Sequence, residues 1–197
     1  MKINFAKDQW NMDELAYAYS YRFESTPTFE QHEDFVTNRK LSDEKYDYEN
    51  IAVLSKKQYA HKTRISTKCA FEGLGAPLIT IADKLFTDPR GVLRYGDYLE
   101  IVIWKNGVNV WRMWRKNGEV IWKNLLRIQM PLTEGAIHTL SVEIAEDTLK
   151  IDADERHFEL LVENLYTSYH LGINACEGVS RFYEMEIEGE ETALYGE

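Results

Sequence analysis

The stretch YLEIVIWKNGVNVWRMWRKNGEVIW, Tyr98 to Trp122, constrains the fold more than any other part of the chain. It carries two Asn-Gly pairs, Asn106-Gly107 and Asn117-Gly118, each set between alternating apolar residues. Asn and Gly both tolerate the positive φ of a type I′ turn, so the pattern predicts three antiparallel strands joined by two tight turns. With Asn106 and Gly107 as turn residues, Lys105 faces Val108, Trp104 faces Asn109, Ile103 faces Val110 and Val102 faces Trp111. Side chains alternate across a sheet. One face then carries Leu99, Ile101, Ile103, Val110, Arg112 and Trp114, and reads as core with Arg112 its odd member. The other carries Glu100, Val102, Trp104, Asn109, Trp111 and Met113. The second turn sets Met113 opposite Trp122 and adds Trp122 to that second face. A one-residue slip would exchange the two faces.

Four of the five tryptophans lie in this stretch, and three of them gather on the second face. The C–H face of a pyranose stacks on indole, while Glu or Asn binds its hydroxyls. Trp104, Trp111 and Trp122, with Glu100 and Asn109 among them, therefore read as a saccharide site. The competing reading is that these aromatics fill a two-sided core.

Elsewhere the chain alternates in short runs. Tyr17–Glu24, Ile51–Leu54, Thr63–Phe71, Ala76–Ala82, Leu125–Met130, His138–Ile144, Thr148–Ala153, His157–Val162, Tyr169–Cys176 and Arg181–Ile187 read as strands. Residues 83–97 read as a loop with an Asp88-Pro89-Arg90-Gly91 turn. Residues 163–168 read as a connection, with at most one helical turn. Residues 25–50 are acidic and turn-rich, a surface excursion with a short strand piece at Asp34–Asn38, and the tail 188–197 is acidic. About a dozen strands at this spacing predict an all-β sandwich or closed barrel, one domain over residues 1–197.

The net charge of −10 excludes nucleic acid and an anionic membrane surface as natural partners, since phosphates would be repelled. No run approaches the roughly 20 apolar residues of a membrane span, and the stretch MKINFAKDQWNMDEL has no apolar run of about 7–15 residues, so no signal peptide is expected. Cys69 and Cys176 stand far apart and in no metal-like spacing, which predicts reduced thiols in a cytoplasmic protein. His32, His61, His138 and His157 lack a His-Glu-x-x-His or Cys-x-x-Cys frame, so no metal centre is expected from them. Asp83, Asp88 and Asp97 flank a loop that could hold Ca²⁺ through oxygen ligands.

The run His138–Ala153 followed by His157–Val162 resembles a hairpin of laminin-G-like and concanavalin A-like domains. The ending LGINACEGVSRFYEMEI, Leu171–Ile187, resembles the last strands of the same superfamily. The resemblance covers most of residues 63–187 and implies a two-sheet jelly-roll sandwich whose concave face usually holds sugar. It does not fix an activity, because one fold hosts many functions. The chain departs from it in two ways. Asp154-Glu155 stand where the hairpin signature has Gly, and the glucanases' Glu-x-Asp-x-Glu strand is matched at mid-chain by Glu100 alone.

Glu184, Glu186 and Glu188 copy that carboxylate spacing on the last strand, where a solvated face explains them. Leu171, Ile173 and Ala175 read as inward-facing, which leaves His170 and Asn174 to flank the tryptophans. Glu177 and Arg181 bracket a Gly178 turn and read as a pair. The expected function is recognition of an oligosaccharide or polysaccharide fragment by Trp104, Asn109, Trp111, Trp122, His170 and Asn174, without a cofactor. The alternatives are a glycoside hydrolase using Glu100 or Glu177 as acid or base, and a structural sandwich whose aromatics meet at a dimer interface. Nothing in the sequence fixes an oligomeric state.

Overall fold

Inward-facing Ile, Leu and Val from two sheets meet to form the main core. The computed structural model describes residues 1–44 and 47–192. Lys45, Tyr46 and the last five residues of the expected acidic tail lie outside the described residues. Among those described, every regular element is a strand.

The back sheet runs in the order Arg156–Leu161, Thr148–Ala153, His138–Ala145, Thr63–Glu72, Val179–Glu188, Val36–Thr37, Glu30–Gln31, with Lys2–Asn4 also on Val179–Glu188. The front sheet runs Glu119–Gln129, Gly107–Lys116, Tyr98–Trp104, Leu78–Ala82, Ser168–Ala175, Ile51–Ser55, Leu15–Tyr17, with Tyr59–Ala60 also on Ser168–Ala175. All strand pairs are antiparallel. Ile79, Ile101, Val110 and Ile173 of the front sheet pack on Ile65, Val142, Ile151 and Met185 of the back. Each such side chain contributes about 1.5–3 kcal/mol by leaving water.

The central meander has the predicted faces but not the predicted first register. Ile103 pairs with Val108, Val102 with Asn109 and Glu100 with Trp111. The turn residues are thus Lys105 and Asn106, not Asn106 and Gly107. Each residue keeps its face because its partner moved by two positions, an even step. Gly107 opens the second strand at φ 137°, and a Cβ there would lie 2.0 Å from the Ile128 carbonyl oxygen of the third. Both the positive φ and the close approach of that strand require glycine here. The second turn is as predicted: Asn117 and Gly118 have φ 53° and 83°, and Met113 faces Trp122. A bulge after Val110 leaves Leu125 as the extra residue, so that Val110 faces Leu126 while Trp111 faces Asn124. Leu125–Met130 is not a separate strand but the continuation of Glu119–Gln129.

Two further expectations need correction. The first front-sheet strand is Leu15–Tyr17, not Tyr17–Glu24. Beyond it the chain leaves the sheet edge, turns at Ser20–Phe23 (Phe23 N–H to Ser20 O, 3.1 Å), and lays its aromatics across the outer face of the front sheet. Residues 83–97 contain a hairpin, Leu85–Thr87 with Leu93–Tyr95, whose turn is the expected one at Asp88. The excursion supplies Glu30–Gln31 and Val36–Thr37 to the back-sheet edge. Residues 163–168 hold a turn and no helix.

Candidate functional site

Cross-strand pairing arranges the outer face of the front sheet in rows. One row reads Arg127, Asn109, Val102, Leu78, Asn174; the next Asn124, Trp111, Glu100, Thr80, Gly172; the next Trp122, Met113, Tyr98, Ala82, His170. Rows on one face are about 7 Å apart. Trp104 lies one row beyond Val102.

Half of this face is covered by the chain itself. Residues 18–23 and the 85–95 hairpin form a second, smaller core with Leu54, Ala82, Tyr98 and Met113. Tyr95 and Tyr98 pack edge to face with centroids 4.8 Å apart. The Tyr21 hydroxyl donates to Met113 Sδ at 3.0 Å, and Arg115 lies 3.7 Å over the Tyr21 ring. The cover is held by Arg94, which is 1% exposed. Its Nε donates to Asp88 Oδ2 at 3.0 Å, and its Nη1 donates to the carbonyls of Ser20 (3.1 Å) and Phe23 (2.9 Å).

The uncovered half is a groove of about 660 Å³. Its floor is Glu100, Val102 and Asn109, and Trp104, Trp111 and Trp122 line it half-buried. Trp111 and Trp122 meet at 83° with centroids 6.4 Å apart. The Arg22 guanidinium lies 4.1 Å over the Trp122 ring. With its amide satisfying both neighbours, Asn109 accepts from Trp104 Nε1 at 3.1 Å and donates to the Val108 carbonyl at 3.3 Å. Asn109 thus fixes the Trp104 ring. One wall comes from Tyr48 and Asn50, another from Leu74, Ala76, Cys176 and Glu177. Asn38 brings the first of these in: its amide donates to the carbonyls of Glu49 (3.0 Å) and Gly178 (2.9 Å) and accepts from Ser180 N–H (2.9 Å).

The predicted site residues therefore divide. Glu100, Trp104, Asn109, Trp111, Trp122 and Glu177 line one groove. His170 and Asn174 share the face but lie under the chain's own cover. His170 Nδ1 donates to the Ser55 carbonyl at 2.8 Å, and burial lowers its pKa. Asn174 is fully buried, with Nδ2 3.4 Å from the Tyr95 hydroxyl. Arg22, Phe23, Tyr48, Asn50 and Arg127 also line the groove. They come from irregular segments or from past the bulge, where no periodicity marks them. Glu177, at φ 59° on an exposed turn, does not pair with Arg181. Arg181 instead meets Glu72 on the adjoining back-sheet strand and lies over the Phe35 ring. Arg112, at the rim of the main core, donates to the carbonyls of Glu163 (2.7 Å) and Asn164 (3.0 Å).

Of the other candidate groups, Glu184 and Glu186 pair with Lys68 and Lys2 on the back sheet's outer surface. Asp88 is engaged by Arg94 and by the N–H groups of Arg90 and Val92. Asp97 accepts from Arg115 N–H, and burial pushes Asp83 up to about 6. Among the described residues no group of three or more His, Cys, Asp or Glu is placed to hold a metal. Cys69 and Cys176 are both free, and burial raises both thiols.

Burial pushes the Glu100 carboxyl up to about 7; Arg22 opposes the shift, Glu177 adds to it, and a hydrogen bond from Tyr98 opposes it. Near neutrality Glu100 thus both donates and accepts. The folded-state pKa lies above the ordinary value of 4.5, so the folded protein holds this proton longer than the unfolded chain. Stability then falls as pH rises from about 4.5 to about 7 and levels off above that. Glu100→Gln is expected to remove this limb and to be the more stable protein above neutrality. Urea midpoints measured across the window check it, and parallel curves for the two proteins would count against a buried carboxylate.

No protein-family model and no curated protein sequence matches the chain. Solved structures do. Carbohydrate-binding module CBM66 from Bacillus subtilis is 15% identical with a TM-score of 0.63, over 91% of this chain and 98% of that one. A glycoside hydrolase family 16 endo-glucanase from Bacteroides ovatus is 11% identical with a TM-score of 0.64, over 95% and 99%. The exoplasmic/lumenal domain of VIP36, in a form bound to Ca²⁺ and Man3GlcNAc, is 12% identical with a TM-score of 0.60, over 99% and 91%. What is shared at such identities is the fold. This chain is a concanavalin A-like jelly roll, two large antiparallel sheets packed as a sandwich.

Proposed function

We propose that the groove is a lectin-like saccharide-binding site without catalysis of its own. The observation that carries this reading is the gathering of three half-buried indoles on one open face around a buried carboxyl. Aromatic walls with a few fixed polar groups are the usual make-up of a small-ligand site. Trp111 and Trp104 offer indole surface, while Glu100, Asn50 and Arg127 offer donors and acceptors for hydroxyls. Sugar-linked proteins on the same fold, a carbohydrate-binding module and a Man3GlcNAc-bound domain among them, support the reading. Titration with a panel of neutral and acidic polysaccharides, read by tryptophan fluorescence and calorimetry, tests it. A saturable spectral change with at least one of them is the expected result, and silence across the panel would sink the proposal.

A hydrolase is the second reading, favoured by one observation. Glu100 is a carboxyl pushed towards neutrality, with Glu177 at the rim of the same groove, and glycoside hydrolysis uses an acid and a second carboxylate. Against it, the outward positions flanking Glu100 on its strand are Tyr98 and Val102, so the floor carries a lone carboxyl. Turnover of a chromogenic glycoside that is lost in Glu100→Gln and kept in Glu186→Gln would overturn the non-catalytic assignment.

A further inference from the structure

Two features of the groove bear on how a ligand lies in it. The first is where it stops. Along the strands it runs into the row of Met113, Tyr98 and Ala82, which are wholly buried beneath Tyr21 and the 85–95 hairpin. Arg22 lies against Trp122 at this end, and Tyr21 is hydrogen-bonded to Met113. Across the strands it stops at Leu78 and Thr80, both fully buried. Beyond them Asn174 and Ala52 are sealed under the cover. The outer face of the front sheet is therefore not an unobstructed trough from one sheet edge to the other.

The second feature is where the groove continues. A second hollow of about 460 Å³ shares Trp104, Asn109 and Arg127 with the first and runs on past Asn106, Met130 and Pro131. The opening thus leads over Trp104 towards the sheet edge formed by Glu119–Gln129. One end is blind and carries the carboxyl. The other is open, and its ring Trp104 is fixed by Asn109.

Resting on the saccharide reading above, we infer that the site recognises the end of a glycan chain, not an internal stretch. The terminal sugar seats over Glu100 and Val102 beside Trp111, with Arg22 as the stop. The following units leave over Trp104 and Arg127 into the second hollow. A chain passing through would need the space that Tyr21, Arg22 and Phe23 occupy.

The test uses linear gluco-, manno- and xylo-oligosaccharides in three forms: free, reduced to the alditol at the reducing end, and O-methylated on the terminal non-reducing unit. Binding to the full chain is read by calorimetry. Blocking the seated end leaves buried polar groups unpaired and is expected to weaken binding at least ~10-fold, whereas blocking the other end is close to neutral. Lengthening the oligosaccharide is expected to strengthen binding to the native protein. In Trp104→Ala that gain with length is expected to be lost. Equal binding of all three forms, or of a cyclic oligosaccharide and its linear counterpart, overturns the chain-end inference and leaves saccharide binding intact. No binding by any form removes the saccharide reading, and this inference with it.

Discussion

Trp111→Ala is expected to weaken saccharide binding about 30-fold, a loss of about 2 kcal/mol, with the fold retained. Among the three groove indoles Trp111 has the least structural work. Trp122 packs edge to face on buried Tyr98 and lies under Arg22, so its removal disturbs the second core. Trp104 is tied to Asn109 at the open end. Trp111 lies between them, opposite Glu100, where a seated ring meets the carboxyl and the indole together. Truncating a large, half-buried aromatic at the centre of a contact costs more than losing any one rim hydrogen bond. Calorimetry on the variant, with near-ultraviolet circular dichroism to confirm native packing, checks the expectation. Affinity unchanged within a factor of two in a folded variant would mean that the ligand does not stack there.

Arg94→Met is expected to destabilise the protein by about 3 kcal/mol, and to loosen the groove as it does so. Methionine fills most of the volume but offers no donors. The Asp88 carboxylate loses the nearer of its two guanidinium partners and keeps Arg90, and the carbonyls of Ser20 and Phe23 lose the donor that Arg94 gives them. Breaking a buried pair from one side is costlier than never having had it, because the remaining charge stays desolvated. The second consequence follows from position. Ser20 and Phe23 bracket Arg22, so the anchor of the blind end is released. Urea unfolding gives the first quantity, and oligosaccharide affinity at a pH and temperature where the variant is folded gives the second. A variant as stable as the native protein would show that the 20–23 segment is held by its aromatics alone.

How much of this was legible in the residues follows from what each signal encodes. Period-two alternation reports faces, and the faces came out as read: Ile101 and Val110 inward, Glu100 and Trp111 outward. The Asn-Gly signal reports a turn near a place, and it holds at Asn117-Gly118. At Asn106-Gly107 the close approach of Ile128 claimed the glycine, and the turn moved by one residue. The bulge at Val110–Trp111 carries no pattern at all, yet it decides that Arg127 stands in the Asn109 row. The least legible parts are the walls. Tyr17–Glu24 alternates because it lays aromatics on a sheet, which from sequence looks the same as belonging to one. Tyr48 and Asn50 reach the groove through the amide of Asn38, a buried polar contact with no periodic trace. His170 and Asn174 were read on the correct face, but a face does not reveal what covers it.

The floor of the groove is one continuous run of chain, Tyr98–Trp122, whose contacts are between neighbours in sequence. Its enclosure is assembled from residues near 22, 48, 75 and 177, drawn from almost the whole length. Local pairings cost little loop-closure entropy and distant ones cost more. During folding the indoles can therefore be presented as a bare platform before anything surrounds them. On the chain-end reading, selectivity for how a ligand enters rests on these distant pairings, and it would be the first property shed if they came loose.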